Sequence, residues 1–278
     1  MAVTTGGERM TGVTAMAALT AGAVTARLDG AAAGCAVEVL DAVDSTNTEL
    51  KRRAADGAAD GTVVIARQQT GGRGRRGRTF LSPPGGLYMS VLLRQAAAST
   101  ALPLLTIATA TAVAEAAEEV CGQRVALKWV NDVYRHGRKV CGILAEAMSD
   151  GASGVQCVIV GIGVNFSPPE GGFPADIPAG ALFDGDVPDD AAARLAAGIL
   201  NRLMTYARRL EAREYLPGYR ARSMLDGQTV AFCERGVWQE GVAAGIDEDG
   251  GLRVRLADGR MRTLQSGEVT MHRAETEK

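Results

Sequence analysis

Apolar and polar positions alternate in AVEVLDAV (36–43), which predicts a strand with one covered face. GTVVIARQQ (61–69) and LYMSVLLR (87–94) are dense in β-branched or apolar residues and read as two more strands. Between the first two, the polar run DSTNTELKRRAAD (44–56) predicts a helix, with Thr46-x-x-Glu49 as a capping box at its start. ALPLLTIATATAVAEAAEEV (101–120) is apolar all round, the pattern of a buried helix. RVALKWV (124–130) predicts a strand, and DVYRHGRKVCGILAEAM (132–148) a hairpin turning at His136-Gly137. VQCVIVGIGVNF (155–166) is the next strand, and the Pro/Gly-rich residues 167–185 are loop. Residues 189–216 carry helical spacing that Pro217-Gly218 is expected to end.

Near Asp226 the texture changes to short strands with turns at Glu248-Asp249-Gly250-Gly251 and Asp258-Gly259. This predicts an α+β protein. A low-complexity Ala/Gly/Thr segment (1–35) precedes a mixed or antiparallel sheet backed by helices (36–224), and a separate small β-barrel (225–275) follows.

Composition changes this picture little. Of 278 residues, 46% are apolar and 22% charged, with a net charge of −2, so no general attraction to nucleic acid or an anionic membrane is expected. Five scattered cysteines, no CxxC pair and two histidines argue against a zinc or other metal site and for reduced thiols in a cytoplasmic protein. No apolar run reaches the ~20 residues of a membrane span. Residues 10–27 faintly resemble a signal peptide, but Ala, Thr and Gly dilute the apolar stretch. An Ala-rich helix, a loose tail or a start codon placed too early are the other readings.

Positive charge is concentrated in GGRGRRGR (71–78), four arginines among four glycines. Gly72 to Gly77 fits GxGxxG, yet a dinucleotide fingerprint or a P-loop must open a helix. Here Thr79-Phe80-Leu81-Ser82-Pro83-Pro84 follows, and no acidic residue stands between the loop and Glu115. A solvated basic turn and an RGG-like RNA-binding patch are the plain alternatives. The remaining reading is a strand–loop–strand clamp in which glycines admit a ligand and arginines meet phosphate or carboxylate. Self-repulsion favours disorder in such a loop until an anion orders it.

If His136-Gly137 is the turn, Tyr134 faces Lys139 and Asp132 faces Cys141, placing all four on one sheet face. Of 30 basic residues only four are lysine, and two of them are Lys128 and Lys139. A chain that otherwise prefers arginine points there to a need for a compact ammonium.

S-T-N (45–47), Q-x-x-G-R-G-R-R-G-R (69–78), K-W-x-N-D (128–132), K-x-x-G-I-L-x-E (139–146) and G-x-G-x-N (161–165), in this order, resemble the biotin–protein ligases over residues 40–275. The resemblance implies a class II synthetase-like catalytic domain with an SH3-like C-terminal barrel. It implies ATP- and Mg²⁺-dependent activation of biotin to biotinyl-5′-AMP, then transfer to one lysine of a biotin carboxyl-carrier protein. Arg73, Arg75 and Lys139 would meet the carboxylate and phosphate. Ser45, Thr46, Asn47 and Gln69 would hold the ureido ring. Gly72, Gly74, Gly142 and Gly163 would allow close packing. Arg76, Arg78, Lys128, Asn131, Ile143 and Asn165 would lie along the nucleotide, Phe80 would cover the adenine, and Asp132 would orient or deprotonate the acceptor lysine. Val130 and Phe80 stand where the family usually has Pro and Trp. Arg273 is one position away from an arginine some members point at the site, with His272 in its place. Residues 1–35 are too short and too Ala/Gly-rich to resemble the winged-helix domain of bifunctional members, so a ligase without repressor activity and without DNA as partner is expected; separately, a monomer or homodimer is expected. Lipoate–protein ligases share the fold and are the nearest rival.

Overall fold

The computed structural model describes residues 9–10, 12–94, 102–149, 155–234 and 236–271. In chain order these form β1 (Arg9–Met10), α1 (Gly12–Ala17), α2 (Ala21–Thr25), β2 (Ala36–Leu40), α3 (Thr46–Ala55), β3 (Thr62–Ala66) and β4 (Leu87–Leu93). There follow α4 (Leu102–Cys121), β5 (Ala126–Lys128), β6 (Asp132–Arg135), β7 (Arg138–Ser149), β8 (Val155–Val164), β9 (Val187–Pro188), α5 (Ala191–Arg208) and α6 (Leu216–Arg220). The last five strands are β10 (Thr229–Glu234), β11 (Val237–Ile246), β12 (Leu252–Arg255), β13 (Met261–Leu264) and β14 (Val269–Met271).

Seven strands form one sheet in the order β2-β3-β4-β8-β7-β6-β5. Only β2 and β3 run parallel; the other pairings are antiparallel. Val63 and Ile65 of β3 face the main core with α4 and α5, while Val64 meets Leu50 and Ala54 of α3 on the opposite face. Covering on both faces is why the central strands read as unbroken apolar runs. Buried α4 tolerates its threonines because Thr106, Thr109 and Thr111 each donate to the carbonyl four residues back.

The hairpin at His136-Gly137 forms, with both residues at positive φ. Tyr134 pairs with Lys139 as expected, but Asp132 pairs with Gly142, not Cys141. A bulge between Val133 and Tyr134 shifts the register and leaves Cys141 buried in the core. The long helix also differs from expectation: α5 ends at Arg208, the chain turns through Arg213 at φ 54°, and Pro217-Gly218 lie inside α6. Proline is accommodated there because the first turn of a helix has no amide bond for it to break.

Residues from Gly12 onward are part of the fold. Ala15, Leu19 and Val24 are fully buried against the helical layer, and the Arg67 guanidinium donates to the carbonyls of Met16 (3.1 Å) and Leu19 (2.6 Å). Small residues read as low complexity, but here they let short helices lie close to α5. Leu19→Ala is expected to lower the unfolding free energy by about 2–5 kcal/mol in urea titration; a change below about 0.5 kcal/mol would show the segment to be dispensable.

The second sheet, β13-β12-β11-β10-β14, is antiparallel throughout and matches the expected turns, with Gly250 and Gly259 at positive φ. It is tied to the first domain by Trp129 Nε1 donating to Gly250 O (2.9 Å) and Arg220 donating to Ile246 O (2.9 Å). Val237 and Trp238, 60% and 58% exposed, stand at the free hairpin end of β11. All five cysteines are free thiols. Among the described residues no helix is long and apolar enough to cross a membrane. His272 and Arg273, and with them the last residues of the expected 225–275 domain, lie outside the described residues.

Candidate functional site

One cavity of about 200 Å³ opens where the N-terminus of α3, the Arg/Gly loop, β6–β8 and the Gly267–Val269 segment of the second sheet converge. Its inner wall is polar. Ser45 is the N-cap of α3 but gives no side-chain cap, and Glu49 is drawn outward to Arg52 and Arg53, so the expected capping box does not form. Instead the free amide of Thr46 donates to Gln69 Oε1 (2.9 Å), and the Thr46 hydroxyl donates to the same oxygen (3.1 Å). Gln69 Nε2 donates to Ser82 Oγ (2.9 Å), which donates to Phe80 O (3.0 Å). Asn47 Nδ2 donates to Glu146 Oε2 (2.8 Å) and to Leu144 O (3.3 Å), and its Oδ1 accepts from Ser90 Oγ (2.6 Å).

The outer wall is cationic. Lys139 Nζ sits 2.7 Å from Asp132 Oδ1, a buried oxygen that has no hydrogen bond of good geometry. The backbone of Lys139 is held from behind, its amide donating to Pro178 O (3.1 Å) and its carbonyl accepting from Gly180 N (2.9 Å). Lys128 makes no ion pair among the described residues; burial, with Lys139 adding to it, pushes its ammonium pKa down despite Asp132. Arg75 donates to Asn131 Oδ1 (2.9 Å), and burial, then Arg76, lowers its hold on its proton. These two cations are held where an anion would stabilise them.

The Arg/Gly loop departs from the expected self-repelling segment because carboxylates of the chain meet it. Arg73 pairs with Glu146 (3.1 Å), and Arg78 (2.5 Å) and Arg76 (3.6 Å) pair with Glu268 of the second sheet. The hydrogen bond from Arg78 holds the Glu268 carboxyl below its ordinary range, against the opposing effect of burial. A lowered carboxyl pKa gives stabilisation that is present above the unfolded value and lost as pH falls through the folded one. The clasp therefore holds at neutral pH and opens below the normal glutamate range. Exposed pairs of this kind contribute only about 0.2–1 kcal/mol. Glu268→Gln is thus expected to leave the melting temperature nearly unchanged while trypsin cleaves within residues 73–78 several-fold faster. An unchanged cleavage rate would separate Glu268 from loop order.

The strand glycines fit an aromatic ring. A Cβ on Gly163 would lie 2.6 Å from Phe80 Cε1, and one on Gly142 would lie 3.0 Å from Phe80 Cε2. Phe80 rests on these two residues, edge-on to Tyr88 and 6.0 Å from Lys139 Nζ. The close packing expected around a ligand is therefore made, at these positions, around Phe80.

The cavity is lined by the residues singled out from sequence except Gly72 and Asn165. Gly72 lies under the loop, where a Cβ would meet Phe80 O at 2.3 Å. Asn165 lies behind the wall, donating to Gly180 O (3.0 Å) and so bracing the segment that holds Lys139. Sequence reasoning assigned no role to Ser90, Glu146, Gly161 or Glu268. Ser90 had a signal: apart from Tyr88, whose hydroxyl reaches Pro83 O, it is the polar side chain in a strand buried on both faces. Glu268 had none, because its partners lie in the other domain.

A model of the biotin/lipoate A/B protein ligase family matches residues 39–165, and one of the biotin protein ligase C-terminal domain matches 227–271. The biotin--[acetyl-CoA-carboxylase] ligase of Mycobacterium tuberculosis is 33% identical over 246 residues, covering 84% of this chain and 88% of that protein. The bifunctional ligase/repressor BirA of Bacillus subtilis is 37% identical over 138 residues, 49% of this chain. That match spans 42% of the relative, less than half its length. A solved structure, the biotin protein ligase of Aquifex aeolicus in complex with biotin and ATP, superposes with a TM-score of 0.70 at 30% identity, covering 86% of this chain and 99% of that one.

Proposed function

Since the chain belongs to the biotin protein ligase family, we propose that it activates biotin with ATP to biotinyl-5′-AMP and passes the biotinyl group to a lysine of a carboxyl-carrier protein. One observation carries this reading: the unused hydrogen-bonding capacity of the inner wall complements a urea. Gln69 Oε1 already accepts twice and Nε2 donates once, leaving one N–H. Asn47 has given both hydrogens and accepts once, leaving one lone pair on Oδ1. A donor for a carbonyl and an acceptor for an N–H thus line the same cavity as the cations Lys128, Lys139 and Arg75.

The first step needs no general base, because the attacking carboxylate is already ionised. Its demand is to hold two anions together and to stabilise the charge that develops at the α-phosphate. Lys139, Lys128, Arg73 and Arg75 supply that stabilisation, and the Arg/Gly loop keeps water from the labile acyl-adenylate. In the second step the acceptor ammonium must give up a proton. Asp132 Oδ1, buried and paired with Lys139 Nζ at 2.7 Å, is suited to orient that amine and take the proton once Lys139 is drawn to the ligand.

Mg²⁺ fits this site only as a companion of the triphosphate. Among the described residues no three His, Cys, Asp or Glu side chains cluster, and Asp132 and Glu268 are each paired with a cation. The SH3-like character of the C-terminal sheet, the boundaries at 36–224 and 225–275, and a cytoplasmic location belong to the same proposal.

The test is transfer. The protein, ATP, Mg²⁺, biotin and a biotin carboxyl-carrier domain are mixed and the carrier is weighed by mass spectrometry. A single, ATP-dependent biotinyl mass increment is expected. No increment and no biotin-dependent ATP–pyrophosphate exchange, with exchange driven by lipoate instead, would overturn the proposal.

A further inference from the structure

The side chain of Asn47 can fit its pocket in two orientations related by a flip of the amide, and only one leaves an acceptor for a urea N–H. Two acceptors, the Glu146 carboxylate and the Leu144 carbonyl (3.3 Å from Nδ2), choose between them, and Ser90 and Gly161 fix where the oxygen then sits. Glu146 presents a carboxylate oxygen 2.8 Å from Nδ2. Its flipped alternative would set two oxygens against each other. Burial raises the Glu146 carboxyl, but hydrogen bonds from Lys51 and Asn47 outweigh it, so it stays an ionised acceptor. Lys51 Nζ lies 2.7 Å away and Arg73 3.1 Å away, which fixes the carboxylate from its far side. Ser90, fully buried on β4, puts its hydroxyl 2.6 Å from Oδ1 and 2.7 Å from Thr46 Oγ1. Gly161 leaves the space that the oxygen occupies: a Cβ there would lie 2.2 Å from Oδ1.

Building on the biotin reading, we infer that Ser90 and Glu146 are positioning residues that hold the Asn47 carboxamide with its oxygen available to the ligand, and so set the preference for a cyclic urea head group. Neither side chain needs to touch the ligand. Ser90 acts through Asn47 and Thr46, both assigned to the head group, whereas Glu146 acts through Asn47 and also pairs with Arg73, so Ser90 is the position that isolates head-group recognition from the chemistry at ATP.

The experiment is steady-state ATP–pyrophosphate exchange with the full chain, giving KM for biotin, KM for ATP and kcat separately. Ser90→Ala is expected to raise KM for biotin about tenfold or more, the cost of leaving a buried acceptor unpaired, with KM for ATP and kcat within about threefold. In an Asn47→Ala background the same change is expected to add several-fold less than it does alone, what remains passing through Thr46. Glu146→Gln, which can accept or donate and so no longer dictates the flip, is expected to raise KM for biotin more than KM for ATP. An unchanged KM for biotin in Ser90→Ala, equal rises in both KM values, or full additivity with Asn47→Ala would each overturn the inference. A native protein with no biotin-dependent exchange would instead count against the ligase reading itself.

Discussion

In the Lys139→Ala variant, biotin-dependent exchange of pyrophosphate into ATP is expected to fall by about 10²–10³-fold, the scale seen when one group stabilising developing charge is removed. Two losses combine. The ammonium no longer draws carboxylate and phosphate together. Asp132, now without its partner at 2.7 Å, turns an unpaired carboxylate toward the place where two anions must meet. The second loss is separable: Asp132→Asn in the Lys139→Ala background removes the repulsion and is expected to recover part of the ligand affinity, but not the rate. Exchange within twofold of the native protein in Lys139→Ala would end the assignment of this lysine to the reacting atoms. The single variant is expected to remain folded, since both side chains reach solvent and the β6–β7 pairing does not depend on them.

The second large effect is on fidelity. Arg75 bridges the short turn of the Arg/Gly loop to Asn131, which is itself fixed by donating to Ile143 O (3.1 Å). Arg75→Gly removes that bridge and a half-buried cation while adding backbone freedom to a loop already rich in glycine. A charged hydrogen bond of this type is worth about 1.5–3 kcal/mol, so adenylate release is expected to quicken by roughly 10–10²-fold. Synthesis of the adenylate persists through Lys139 and Lys128, and the freed acyl-adenylate then reacts with lysines on bystander proteins. Mixing the variant with serum albumin and blotting for biotin reads this directly. Labelling confined to the carrier domain would show that Arg75 does not retain the intermediate.

How much of this was open to sequence reading depended on how local the cause was. The hairpin at His136-Gly137 was legible because a two-residue turn needs residues that accept positive φ. The bulge beside it was not, since Val140 and Cys141 are both apolar and either could have pointed inward. The STN segment marked the start of α3, yet the group that meets its first free amide is Gln69, 23 residues on. The basic loop announced an anion site but not its acidic partners: Glu146 lies on β7 and Glu268 on another domain, so no spacing rule relates them to Arg73 or Arg78. Residues 12–35 were ambiguous for a different reason: an Ala-rich helix, the reading nearest to the short α1 and α2, could not be told from a loose tail. Alanine-rich sequence looks unstructured when it is judged by average hydrophobicity, whereas here a few well-placed side chains, Leu19 and Val24 among them, anchor the segment.

The chain has two tryptophans, and the fold puts them in opposite surroundings. Trp129 is 5% exposed, lines the cavity and is tethered to Gly250 across the domain seam, while Trp238 projects from a hairpin tip. Intrinsic fluorescence should therefore separate into a blue-shifted emission shielded from collisions and a red-shifted one open to them. Acrylamide extinguishes the second and leaves the first. The unlabelled protein then carries its own optical gauge, in which the surviving signal follows both occupancy of the cavity and separation of the two domains in real time.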